Sequence, residues 1–369
     1  SIMGHAPALI GRLFYGQTPK ALVEAFTRYC GRMKEPPDWV HDGAIIGMQG
    51  GTKAVEAMRE LLERFETPIA AFWLQDWVGA RKTSIGWQLW WNWEVDPERY
   101  PKWDQLVETL EGDGIRVMTY INPFLVNPAE KGSFNRNLYE EAIANDFVIK
   151  RSNGEPYLIQ NTSFSAALLD LTHPNIEPWL KKIIQKELIA TGSSGWMADF
   201  GEALPFDALL ADGSDAADYH NHYPEEWSRI NREAIQEAGK ENDVVFFARS
   251  GFTKSPKFAT LFWLGDQLTS WRREDGIKSA VLGLLSSGFS GFSLNHSDIG
   301  GYTATTMPNV PFRIPGIGFT RSKELLLRWI ELNAFTAIFR THEGNQPGRH
   351  IQVDHDGDTL KHFAQFARV

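Results

Sequence analysis

Short apolar runs, rich in β-branched and aromatic residues, recur along the chain at 45–48, 70–75, 116–121, 195–200, 244–248, 261–264 and 291–294, with an eighth expected at 337–340. Between them, apolar positions repeat at helical spacing over 53–65, 102–113, 175–191, 225–239 and 320–334. Strands that are apolar at nearly every position, alternating with helices, predict a parallel sheet covered on both faces. Seven or eight such repeats predict an α/β fold of the closed kind, a (β/α)8 TIM barrel, over a doubly wound sheet. No Gly-x-Gly-x-x-Gly stands at a strand–helix turn, so dinucleotide binding has no support. Residues 80–101 are dense in tryptophan and charge without a clean period and are expected as a loop. So is 300–318, where Pro308, Pro311 and Pro315 exclude a regular helix. Long loops after barrel strands are where such a fold keeps its site. The domain reading is a lead-in segment over 1–40 and a catalytic barrel over 41–369 whose last helix is incomplete.

Composition narrows the function classes. With 43% hydrophobic and 22% charged residues, the 369-residue chain can bury a large core without disulfides or metals. Its single cysteine, Cys30, excludes an intrachain disulfide and fits a reducing compartment, so a cytoplasmic location is expected. A net charge of −9 leaves no electrostatic footprint for nucleic acid. No apolar run approaches a bilayer span, and no cofactor or metal motif appears. The 14 tryptophans suit either a large aromatic core or a sugar site, where rings stack on apolar sugar faces. Composition alone favours the core.

The ends of the predicted strands carry the chemistry. The fourth ends in Trp-Met-Ala-Asp199-Phe-Gly-Glu202, the fifth in Ala-Arg249-Ser-Gly, the sixth in Trp263-Leu-Gly-Asp266 and the seventh in Asn295-His-Ser-Asp298-Ile-Gly-Gly. Any one aspartate alone reads best as a helix cap. Several converging on one rim read as a site, because that rim is the open mouth of a barrel. Cleaving a glycoside takes two carboxyls, one to attack or stabilise the oxocarbenium-like carbon and one to protonate the leaving oxygen. Asp199 lies between an apolar strand and Phe200-Gly201, a setting that holds it still. Asp266, among Trp263 and Trp271, is expected to have a raised pKa and to keep its proton near neutrality.

With these motifs the sequence resembles glycoside hydrolase family 31, the retaining α-glucosidases and α-xylosidases. The resemblance runs from Phe14-Tyr-Gly-Gln-Thr-Pro to Arg340-Thr-His342. Gln75-Asp-Trp, Trp90-Trp91-Asn-Trp93 and His296-Ser-Asp-Ile-Gly-Gly-Tyr302 are most similar to its sulfoquinovosidase branch, which releases sulfoquinovose, a glucose bearing a sulfonate at C6. The resemblance implies Asp199 as nucleophile and Asp266 as general acid/base. It implies Gln75, Arg249, Asp298 and His342 as sugar-binding residues and Trp263 as a wall of the subsite. Trp91 and Tyr302 match two of the three residues that hold the sulfonate. The third, an arginine in that branch, is Gln88 here, and Arg81 or Lys82 could compensate. Members of the family carry a β-sandwich before the barrel and β-domains after it, so this chain is expected to be a fragment lacking them.

The function so implied is a retaining α-glycosidase acting on α-sulfoquinovosides through a covalent glycosyl-enzyme. The alternatives are an α-glucosidase or α-xylosidase for a neutral sugar, and a non-catalytic sugar-binding barrel, which would have lost one acid. The expected partner is a small glycoside, and the sequence leaves the oligomeric state open. His220 and His222 have metal-like spacing but no accompanying ligand pattern and read as loop histidines. Glu202 is expected to orient Asp199 or its loop, and Asp76 to accept internal hydrogen bonds.

Overall fold

The computed structural model describes residues 11–83, 86–161, 163–305 and 319–369. Eight parallel strands form one sheet: β1 (Ala44–Met48), β2 (Ile69–Leu74), β3 (Arg116–Ile121), β4 (Ser193–Ala198), β5 (Val245–Ala248), β6 (Leu261–Trp263), β7 (Asn295–His296) and β8 (Phe339–Arg340). From β1 to β7 each strand pairs with the next, and β1 also pairs with β8. The circle closes between β7 and β8 through an Ile299–Thr341 bridge and a bond from the Ala337 N–H to the Asn295 carbonyl. The fold is therefore the (β/α)8 barrel that the alternation predicts.

Large side chains fill the barrel because small ones stand beside them. A Cβ on Gly47 would lie 2.7 Å from the Trp73 ring. Phe247 packs edge-on against Trp73, Trp263 and His296, which ties β2, β5, β6 and β7 together. The helix Thr52–Arg64 starts at Gly51 and buries Val55 and Leu62, seven residues apart and so on one face. The predicted helix at 175–191 is Ile176–Ile183 continued by a π-helical turn, Ile184–Ile189.

Three expectations change. Residues 80–101 are not simply a loop, since Ala80–Thr83 and Gly86–Leu89 pair as an antiparallel hairpin. The seventh strand is not 291–294 but Asn295–His296. Gly291 (φ 99°) instead belongs to the turn that ends the helix Ile277–Phe289, and Phe292 stacks on Phe262 at 4.1 Å. The polar Asn295 can occupy a buried strand because its amide donates to the carbonyls of Leu284 and Phe292. The eighth strand is only Phe339–Arg340. Of the expected proline-rich loop at 300–318, residues 306–318 lie outside the described residues. Among the described residues, no helix is long and apolar enough to cross a membrane.

Candidate active site

The strand register brings Asp199, Arg249, Asp266 and Asp298 to the same end of the barrel, just beyond β4, β5, β6 and β7. Asp199 is buried and held at both oxygens. The Tyr120 hydroxyl donates to Oδ2 at 2.6 Å, and the Phe200 N–H donates to Oδ1 at 2.8 Å. The second bond depends on an unusual turn, because Phe200 adopts φ 58°, a left-handed conformation that a large side chain takes only when its surroundings fix it. Its carbonyl accepts from Ser250 Oγ at 2.6 Å, and its ring lies beneath the Arg249 guanidinium and edge-on to Trp91. Gly201 follows at φ 108°, where an added Cβ would meet Ser250 Oγ at 2.5 Å.

Arg249 joins the two acids. Its Nη1 is 3.2 Å from Asp199 Oδ1 and 3.2 Å from Asp266 Oδ2. One guanidinium nitrogen thus bridges the two carboxyls, which bounds the separation of those two oxygens at twice that distance. Glu202, expected to orient Asp199 or its loop, bonds Arg249 rather than Asp199 directly. Its Oε1 takes Nε and Nη2 of Arg249 at 2.9 and 2.6 Å, so it orients the arginine. Burial works against the Arg249 charge, but Asp199, Glu202 and Asp266 outweigh it and raise its pKa.

The two acids differ in setting. Burial pushes Asp199 up, and Arg249, the Tyr120 hydroxyl and the Phe200 N–H pull it back. Asp266 is pushed up to about 7, first by burial and then by the Asp199 charge, with Arg249 opposing. Its side chain is 46% exposed at the rim, yet protein crowds the carboxyl on its inner side, and it lacks the two close donors that hold Asp199. Desolvation, the cause expected from its apolar setting, comes first, and the Asp199 charge adds to it. Asp199 is thus raised by burial but held by donors that favour its ionised form, while Asp266 keeps its proton near neutrality.

A second group lies on the β2, β7 and β8 side. Arg340 donates to the Asp298 carboxylate and, at 2.9 Å, to His296 Nε2. Burial pushes Asp298 up while Arg340 pulls against it. The Gly344 N–H donates to His342 Nδ1 at 2.9 Å, and burial holds the ring neutral, so its proton is on Nε2, 3.2 Å from the Gln75 amide. Tyr302 packs edge-on against His342 at 4.7 Å. Burial raises its pKa, and the charges of Asp266, Asp199 and Asp298 raise it further. Asp298 Oδ2, His296 Nδ1, Arg340 Nη1 and Trp263 Nε1 are buried with no hydrogen-bond partner among the described residues. Buried polar atoms are normally paired, so this cluster is suited to sugar hydroxyls.

Trp91 packs on Phe124, Phe164 and Phe200, one residue from Asp199, while Gln88 stands further out on the hairpin and accepts from Ser163 Oγ. A cavity of about 580 Å³ opens beside Arg249 and Asp266, with Glu202, His220 and Gly265 in its wall. Asp199, Asp298 and His342 are buried and are not part of that wall. His220 Nδ1 lies 2.6 Å from the Leu204 carbonyl, and His222 packs on Phe252. Among the described residues, no three His, Cys, Asp or Glu side chains group to hold a metal. Asp76 accepts from the Gly50 N–H, Arg99 Nε and the Tyr100 hydroxyl, an internal role.

Sequence reasoning passed over Tyr120 and named Arg340 only as part of a motif, with no role. Each carried a weak signal, a hydroxyl or a charge inside an otherwise apolar strand.

A (β/α)8 barrel with paired carboxylates and a polar floor at its C-terminal mouth defines a class of carbohydrate-active proteins. Residues 34–368 match the glycosyl hydrolases family 31 TIM-barrel domain, and the chain belongs to that family. It is 39% identical over 349 residues to a sulfoquinovosidase of Escherichia coli (strain K12), covering 95% of this chain and 49% of that protein. It is 37% identical over 357 residues to a sulfoquinovosidase of Agrobacterium fabrum (strain C58 / ATCC 33970), covering 96% and 51%. Among solved structures, a GH31 family sulfoquinovosidase from E. rectale in complex with the aza-sugar inhibitor IFGSQ superposes with a TM-score of 0.88 at 39% identity, covering 95% of this chain and 50% of that one. The chain thus spans about half the length of these relatives.

Proposed function

We propose that this barrel is the catalytic domain of a retaining α-glycoside hydrolase that releases sulfoquinovose from α-sulfoquinovosides. The observation that carries the reading is the acid pair meeting at one nitrogen of Arg249, with Asp199 held by two close donors and Asp266 pushed up to about 7. The substrate class comes from the relatives named above.

In the first step, a carboxylate oxygen of Asp199 attacks the anomeric carbon. The bond from that carbon to the leaving oxygen breaks, and Asp266 transfers its proton to that oxygen. In the second, the Asp266 carboxylate takes a proton from water, whose oxygen attacks the anomeric carbon and frees Asp199. Two inversions at one carbon retain its configuration. Asp298 and His342, with Gln75 behind it, hold the sugar hydroxyls, Trp263 walls the subsite, and Trp91 and Tyr302 hold the sulfonate.

A second reading, an α-glucosidase or α-xylosidase for a neutral sugar, is favoured by Gln88 at the position where an arginine is expected. Both are tested by measuring kcat/KM of the full-length protein on matched α-sulfoquinovoside and α-glucoside substrates. The sulfoquinovoside should be preferred, and Trp91→Phe, which keeps a ring and removes a donor, should narrow the preference. A faster glucoside, with a ratio indifferent to Trp91→Phe, would establish the neutral-sugar reading instead.

A further inference from the structure

The hairpin after β2 carries a cation that the described residues leave without an ion-pair partner. Arg81, on Ala80–Thr83, stands directly opposite Gln88, on Gly86–Leu89. Directly opposed residues of an antiparallel pair project from the same face, with Cβ atoms ~4.5–5.5 Å apart. Arg81 and Gln88 therefore share one face, while Lys82 and Trp87 share the other, where both are exposed. An arginine at 81 can thus serve the same space as an arginine at 88, and Lys82 cannot.

The Arg81 guanidinium is clamped between two rings, 3.9 Å from the centre of Phe164 and 4.3 Å from that of Trp90. Phe164 is also in edge contact with Trp91 at 5.0 Å, and Trp91 with Phe200 at 5.6 Å. One chain of packed rings therefore leads from Arg81 to the residue beside Asp199. The clamp fixes the plane of the fork. Arg81 Nη2 is buried with no hydrogen-bond partner among the described residues, and none of their carboxylates lies within ion-pair distance. Glu130 acts on it only from beyond that range. A guanidinium stays charged at any working pH, and an unmade hydrogen bond from a buried charged donor is costly. Its planar fork matches an oxyanion with two or more equivalent oxygens.

We propose that Arg81 is the specificity-determining residue for an anionic group on the sugar, binding the sulfonate from across the hairpin in place of an arginine at position 88. This rests on the sulfoquinovosidase reading above. The test measures kcat/KM on matched α-sulfoquinovoside and α-glucoside substrates for the full-length wild type, Arg81→Gln and the exchange Arg81→Gln/Gln88→Arg. The sulfonate-to-neutral ratio should fall roughly tenfold or more in Arg81→Gln, the loss expected for a charge-assisted bond. The exchange should restore most of it, because both positions face the same space. Should Arg81→Gln fail to fold, Arg81→Lys decides the matter: it keeps the stem against the rings and loses the fork, so the ratio should drop severalfold. An equal loss on both substrates would mark a packing role and overturn the proposal. A high wild-type ratio that survives Arg81→Gln overturns this assignment alone, whereas a wild-type ratio near one overturns the functional reading beneath it.

Discussion

Replacing Tyr120 by phenylalanine isolates the support of Asp199, the proposed nucleophile. The hydroxyl is 2.6 Å from Asp199 Oδ2, and it also accepts from Asn122 Nδ2 at 3.1 Å. Because Asn122 fills an acceptor position, the hydroxyl proton must point at Asp199. A hydrogen bond to an ionised group contributes roughly 1.5–3 kcal/mol. The bond favours the carboxylate form, so its loss raises the Asp199 pKa, adding to what burial already does. At about 1.4 kcal/mol per pH unit, the acid limb of kcat/KM should move up by about 1–2 pH. Attack requires the ionised form, so activity below the limb is lost first. The hydroxyl also disperses the nucleophile's charge as the covalent bond forms, so the rate on the plateau should change as well. The assay is a pH profile of kcat/KM on one aryl α-glycoside for wild type and Tyr120→Phe, alongside a thermal melt, since the stranded Asn122 amide should cost about 1–3 kcal/mol of stability. An acid limb unmoved in a folded variant would refute the role of this bond in keeping Asp199 ionised.

With Asp266 pushed up to about 7, its protonated form is present below that pH and lost above it, so kcat/KM should decline on the alkaline side from about 7. Asp266→Asn should remove that limb and slow alkyl glycosides far more than activated aryl glycosides; a limb that persists in the variant belongs to another group. Arg340→Met strands the fully buried Asp298 carboxylate and should destabilise the protein by about 3–5 kcal/mol in urea titration. Adding Asp298→Asn should recover part of that loss, and a double variant no more stable than the single would show that the pair contributes little.

The sequence by itself determined the alternation of strands and helices, and with it the barrel, because apolar runs and helical periods report each residue's local environment. It also placed Asp199, Arg249, Asp266 and Asp298 at strand ends, and the topology of a closed parallel sheet then sends all strand ends to one mouth. Pattern misplaced β7 because the strand's own residues, Asn295 and His296, are polar and tolerate burial only through bonds to atoms elsewhere in the fold. The supporting residues were hidden for the same reason. Tyr120 reaches Asp199 across 79 residues of sequence and Arg340 reaches Asp298 across 42, each from a neighbouring strand. The hairpin shows the division most clearly. Sequence alone reports an arginine at 81 and a glutamine at 88, seven places apart in a stretch without a clean period. Only the antiparallel register decides that the two share a face and Lys82 does not, because facing is a property of the strand pair and not of either residue.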